Sequence, residues 1–198
     1  MKKFLHAALV TAMLLGMGTA LGQADDSHDV RIRIPEVLAL RITDGSGNTA
    51  ATDPSVEFDF LSGTAFDDYL AALDAGSAWL APTAVNNFGD VVVFANRGTW
   101  RVGVSATAFT FTDDVVLGEL AAGIVLADIR VMPTGSVGLN VSNVAESWDM
   151  TGGEIADGVR TQGWRSLGFS GDDYEIFVDG DEAPGSYLTV VTYTITAP

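Results

Sequence analysis

Short runs rich in Val, Ile, Thr and aromatic residues recur along this chain, separated by clusters of Gly, Asp, Asn, Ser and Pro. That spacing constrains the fold more than any other feature. Runs of this length between turn residues belong to an antiparallel sandwich or barrel, not to alternating strands and helices. The pattern predicts strands at Val30–Ile34, Val37–Thr43, Val56–Phe60, Asp90–Ala95, Trp100–Ala106, Ile129–Met132, Ser147–Met150, Trp164–Phe169, Tyr174–Val178 and Tyr187–Thr196. Trp100, Val102, Val104 and Ala106 share one face of their strand, with Arg101, Gly103 and Ser105 on the other. In the last run Tyr187, Thr189, Val191, Tyr193 and Ile195 share a face and Leu188 and Val190 lie opposite, which predicts cover on both sides near its start. Ala183-Pro184-Gly185 reads as a tight turn before it. Together with Tyr174–Val178 it predicts a closing hairpin.

One segment has helical spacing instead. Phe66, Tyr69, Leu70 and Leu73 fall on one side of a short helix, with Thr64 as its cap and Gly76 as its stop. This helix is expected across the mouth of the sandwich. Val115–Leu126 stays open between helix and turn-linked strands, because Gly118 and Gly123 interrupt it. The expected fold class is all-β: an immunoglobulin-like antiparallel β-sandwich with one short helix, in a single domain over residues 25–198.

Residues 1–24 read as a secretory signal peptide. Lys2 and Lys3 precede the apolar run Phe4–Leu15, and Gly22 and Ala24 fit the small-residue cleavage rule. The apolar run is too short for a comfortable bilayer crossing, so no membrane span is expected after cleavage. With no cysteine in the chain, neither a disulfide nor a lipid-bearing cysteine holds the protein. About 174 mature residues suffice for a core without one. Cleavage would leave eight arginines, no lysine and all 26 acids, a net charge of −18. Such a charge repels nucleic acid and anionic lipid.

Few residues offer catalysis. The only histidine beyond the leader is His28, and no cysteine, Gly-x-Ser-x-Gly or lysine accompanies it. An activated nucleophile needs a neighbouring base, and one histidine builds no zinc or copper centre. Adjacent acids such as Asp67-Asp68 and Asp113-Asp114 point to opposite faces of a strand, unlike the facing carboxylates of a glycosidase. The chain is therefore expected not to be an enzyme and to carry no organic cofactor. Asp172, Asp173, Asp179, Asp181 and Glu182 bracket one predicted hairpin. They read either as oxygen ligands for calcium or as caps of turns. Of the four tryptophans, Trp100 alternates with core positions, whereas Trp148 and Trp164 flank the Gly-rich stretch Thr151–Gly163 and are the candidates for ligand contact. Arg97 and Arg101 bracket Trp100. They read either as grips for carboxylates or as partners of the chain's own acids.

Two stretches carry a resemblance. Val91-Val92-Val93-Phe94-Ala95-Asn96-Arg97-Gly98-Thr99-Trp100-Arg101-Val102-Gly103-Val104-Ser105-Ala106 and the closing Tyr187…Tyr193-Thr194-Ile195…Pro198 resemble the WxL family of bacterial cell-surface domains. That family has a strand, an Arg-Gly turn and a Trp-x-Leu strand, then a second Trp-x-Leu element in a Thr-rich strand near a C-terminal Pro. Asp113–Gly135 is similar to the family's intervening segment. Here Val102 stands for the first Leu, and Tyr193 and Ile195 for the second Trp and Leu, which keeps bulky apolar groups in place. The Pro-Gly-x-Tyr stretch with its Thr-rich strand also resembles fimbrial and spore-coat-type pilin domains.

The resemblance implies a secreted, non-catalytic protein of the cell envelope that docks to cell-wall polymer or to another surface-layer protein. The alternative is a fibre or coat subunit. In that case Asp29–Ile34, with Val30, Ile32 and Ile34 alternating with Arg31 and Arg33, adds as a strand to a neighbour, and Pro35 marks the hinge. The plainer expectation is that this run is the first strand of its own sandwich.

Overall fold

A computed structural model describes residues 31–112, 123–182 and 184–198. The leader, His28, Ala183 and most of Val115–Leu126 lie outside the described residues. The chain divides into two units after Pro35. In the first, Arg31–Pro35 forms no strand, and Ile32 and Ile34 are 77% and 79% exposed. The strand expected over Val30–Ile34 is thus not formed by Arg31–Ile34. Strand pairing begins only beyond Pro35, which has no N–H to give a ladder.

Among its described residues the second unit, Glu36–Pro198, is mostly β with one α-helix. Its elements in order are β1 (Leu38–Thr43), β2 (Ser55–Glu57), α1 (Gly63–Asp74), β3 (Ala78–Leu80), β4 (Ala84–Asn86), β5 (Asp90–Ala95), β6 (Thr99–Ala106), β7 (Thr110–Thr112), β8 (Ile129–Val131), β9 (Val141–Val144), β10 (Trp148–Asp149), β11 (Gly153–Val159), β12 (Arg165–Ser166), β13 (Tyr174–Val178), β14 (Ser186–Leu188) and β15 (Val191–Thr196). They pair as β1-β5-β12, β10-β8-β13-β3, β15-β6-β11-β9, β14-β7 and β2-β4. Every ladder is antiparallel. Among the described residues the strands form several antiparallel sheets, consistent with the expected all-β sandwich.

One core joins the three larger sheets. Trp100, Val102 and Val104 of β6, Val91, Val93 and Ala95 of β5, and Ile176 and Val178 of β13 are all buried within it. Each such valine or isoleucine side chain contributes about 1.5–3 kcal/mol when removed from water. The alternation predicted for β6 holds, since Trp100 and Val102 are fully buried while Arg101 and Ser105 are exposed.

The expected closing hairpin does not form. β13 pairs with β8 on one side and β3 on the other, so neither of its edges is free for the last strand. That strand divides instead: β14 pairs with β7, and β15 pairs with β6. The division falls at Thr189-Val190, where Thr107 accepts a backbone hydrogen bond from Val190 and Thr189 donates to the Thr107 carbonyl. Leu188 and Val190 are 67% and 59% exposed rather than covered.

The helix is present and starts slightly earlier than expected. Its N-cap is Ser62, not Thr64. Gly76 ends it with a φ of +91° and a hydrogen bond from its N–H to the Leu73 carbonyl. Ala72 is its buried residue and Tyr69 stacks on Phe60, but Phe66 and Leu70 stay 42% exposed.

The largest unforeseen element is β11, which lies in the Gly-rich stretch Thr151–Gly163. Gly158 is required by packing. A Cβ there would collide with the Trp100 ring and the Asn140 carbonyl. The close approach lets the Trp100 indole N–H donate to the Val159 carbonyl at 2.8 Å. The strand is also bulged between Glu154 and Ala156, a local irregularity that breaks period-two alternation.

Candidate ligand-binding face

The sheet β1-β5-β12 turns Leu38, Leu40, Ile42, Val91 and Val93 toward the core. Its other face therefore carries Arg41, Val92 and Phe94, because neighbours along a strand alternate. The register sets Arg41 opposite Val92, and Val92 opposite Ser166. Trp164 lies just before β12, on the same side as Ser166. Its ring meets Phe94 at 5.8 Å between centroids, tilted by 49°. The Arg41 guanidinium lies over that indole, 3.8 Å from the ring centroid. β1 and β12 flank β5, so this contact crosses the outer face of β5. Val92 beneath it is only 4% exposed.

Arg41 is held in place twice. The indole face attracts the cation, and an Nη1 donor is fixed by the Asn48 carbonyl at 2.6 Å. No carboxylate pairs with it among the described residues. The same is true of Arg160 and Arg165, whereas Arg97 pairs with Glu36 at 3.3 Å, Arg101 with Glu154 at 3.2 Å and Arg130 with Glu175 at 2.6 Å. Arg31 and Arg33, before the folded unit, likewise pair with no carboxylate among the described residues. Arg160 belongs to the β11–β12 connection and Arg165 opens β12; Thr161 binds the connection to β5, its N–H donating to the Ala95 carbonyl and its hydroxyl accepting from the Ala95 N–H. Arg165 donates to the Gln162 carbonyl, and its buried Nε has no partner.

The residues singled out from sequence therefore separate. Trp164 belongs to this face. Trp148 is half-buried, packs edge-on against Phe169 at 4.8 Å, and buries an indole N–H without a partner. Arg97 and Arg101 sit in the ion pairs just given, the plainer of the two roles open to them. Arg41, Arg160 and Arg165 were not singled out. Nothing in the sequence distinguishes them from the paired arginines.

The five candidate calcium ligands also separate. Asp172 and Asp173 precede β13 and Asp179, Asp181 and Glu182 follow it, a strand length of roughly 17 Å apart. Asp173 caps its own turn, accepting from the Ser170 N–H at 2.7 Å and from Thr134 at 2.5 Å. Glu182 accepts from the Asp179 and Gly180 N–H groups and from Tyr69. No group of three acids or histidines among the described residues is arranged to hold a metal ion. Asp179, Asp181 and Glu182 instead line a depression of about 190 Å³ with Asp128, Phe177 and Gly123.

Two ionisable features mark the interior. Tyr174 and Tyr193 share a 2.6 Å hydrogen bond between hydroxyls. Burial pushes the Tyr174 phenol up to about 12, and burial beside Tyr174 lifts Tyr193 well above the ordinary range. Asp90, which accepts from Ser166, is raised by burial despite that bond.

No helix among the described residues is long and apolar enough to cross a membrane. No protein-family model, no curated protein and no solved structure matches this chain.

Proposed function

We propose that this protein is a secreted, non-catalytic component of the cell envelope that docks to cell-wall polymer or to another surface-layer protein. The observation that carries this reading is Arg41, held over the Trp164 ring and left without a carboxylate among the described residues of a strongly acidic chain. A guanidinium fixed before its ligand arrives loses little entropy on binding. Its remaining donors suit the carboxylates of wall peptides or acidic glycans. The resemblance to WxL surface domains and the leader-like N-terminus point the same way. Co-sedimentation with purified sacculi, with and without calcium, tests it. Saturable binding lost in Arg41→Ala and in Trp164→Ala supports the reading. Binding that neither change reduces removes this face from it, and no binding at all discards the wall-polymer form.

A second reading is favoured by Arg31–Ile34, which stands outside every sheet with Ile32 and Ile34 exposed. Such a segment suits strand addition to a neighbour in a fibre or coat. Deletion of residues 25–34 is then expected to leave the folded unit intact while abolishing polymers seen by electron microscopy. Unfolding of the deleted protein would return the segment to its own sandwich.

A further inference from the structure

The corner where β11 leaves its sheet carries a second surface, separate from the Arg41–Trp164 stack. Leu139 is 75% exposed, and Val137 and Val159 are 47% and 44% exposed. These residues are brought together by backbone bonds. The Val159 N–H donates to the Asn140 carbonyl at 2.9 Å, and the Gly138 N–H donates to the Ser166 carbonyl at 2.9 Å. The Asn140 side chain donates to the Arg160 carbonyl at 2.9 Å, tying the loop to the next residue of the corner. A Cβ on Gly138 would stand 2.8 Å from the Cβ of Arg165, so that arginine adjoins the apolar group. The result is an exposed aliphatic patch flanked by two arginines that pair with no carboxylate among the described residues.

An aliphatic centre with arginine at its margin has the composition of a protein interface rather than of a sugar site. Its partner must be acidic. The acidic surface nearest to hand is this chain's own. The depression lined by Asp128, Phe177, Asp179, Asp181 and Glu182 combines carboxylates with an aromatic side chain. Within it, Asp128, Asp179 and Glu182 already accept hydrogen bonds from neighbouring backbone N–H groups, while the Asp181 carboxylate has no partner among the described residues.

We infer that the Leu139–Val159–Arg160 corner docks a second copy of this chain, with Arg160 directed at the Asp181 depression of that copy. The contact joins two different surfaces, so it is heterologous and builds rings or linear arrays rather than a two-fold dimer. It needs neither the wall-docking face nor the N-terminal segment.

Sedimentation velocity on the leaderless chain tests it, at about 0.02 M and about 0.5 M salt. The expected result is concentration-dependent association that weakens with salt. Arg160→Glu alone and Asp181→Arg alone are each expected to weaken it by at least about tenfold, and an equimolar mixture of the two to restore it. Leu139→Ser, which leaves the charge unchanged, is expected to weaken it as well, with unaltered circular dichroism as the check on folding. A monomer at all concentrations in low salt overturns the inference. So does association that survives both charge reversals, or that fails to return on mixing. If Arg160→Glu instead removes binding to sacculi while the protein stays monomeric, the corner belongs to a wall polymer and the inference is wrong. Sacculus binding through Arg41 and Trp164 is read separately, so either result stands without the other.

Discussion

The sheets β15-β6-β11-β9 and β1-β5-β12 feed the same core and differ on their outer faces. The first presents Thr192, Thr194 and Thr196 along β15, Ser105 and Arg101 along β6, and Glu154 on β11. Its arginine is paired with Glu154, and the Asn143 side chain donates to Asp157 on the neighbouring strand. The second presents Arg41 and Phe94 with Trp164, and its cation rests on an indole instead of an acid. A face whose charges are internally matched has little left to offer a ligand. A face that holds a cation rigid and unmatched retains that capacity, and the contrast separates two arginines that look equivalent in the sequence.

The strongest attack on the comparison is through the shared core. Trp100→Ala removes a fully buried ring and its hydrogen bond to Val159, and should cost about 3–5 kcal/mol in denaturant unfolding. Both outer faces would then suffer together, because β6 and β5 pack on the same residues. Gly158→Ala drives a methyl into Trp100 and should cost about 1–3 kcal/mol. A neutral result would show that β11 can move away from the ring.

Alkaline titration sharpens the view of the inner faces. The phenol of Tyr174 ionises near 10 when unfolded and near 12 when folded. The folded state therefore holds its proton longer. Stability should be full below pH 10 and fall as pH rises through the folded value. In Tyr174→Phe the alkaline fall should be shallower.

Changes to the outer faces should be smaller and should differ in kind. Trp164→Ala should cost about 1 kcal/mol of stability through the lost cation–π contact but remove sacculus binding. Arg101→Ala should cost at most about 1 kcal/mol and leave that binding unchanged. Equal losses of binding in the two variants would erase the distinction between the faces.

The all-β class, the limits of β5 and β13, those of β6 to within one residue, and the burial of Trp100 were legible because they rest on local alternation and on apolar volume. A strand buried on one face must alternate, whatever its neighbours. The exposed fraction of Trp148 was not legible, since flanking glycines describe the backbone and not what the indole meets. The acids around β13 read in the sequence either as caps or as calcium ligands, because their distance from one another depended on the length of the strand between them.

What the sequence determined by itself was therefore the kind of element and the faces of its strongest strands. Partner choice was decided by the tertiary structure. β13 could not receive the last strand because β8 and β3 already occupied its two edges. β11 became a strand despite its glycines because the Trp100 ring needs the space that a side chain at Gly158 would fill. Arg41 became distinctive only when sheet register carried Trp164 across β5 to meet it. Each outcome depends on contacts between residues far apart in the chain, and local periodicity holds no information about which distant surface arrives.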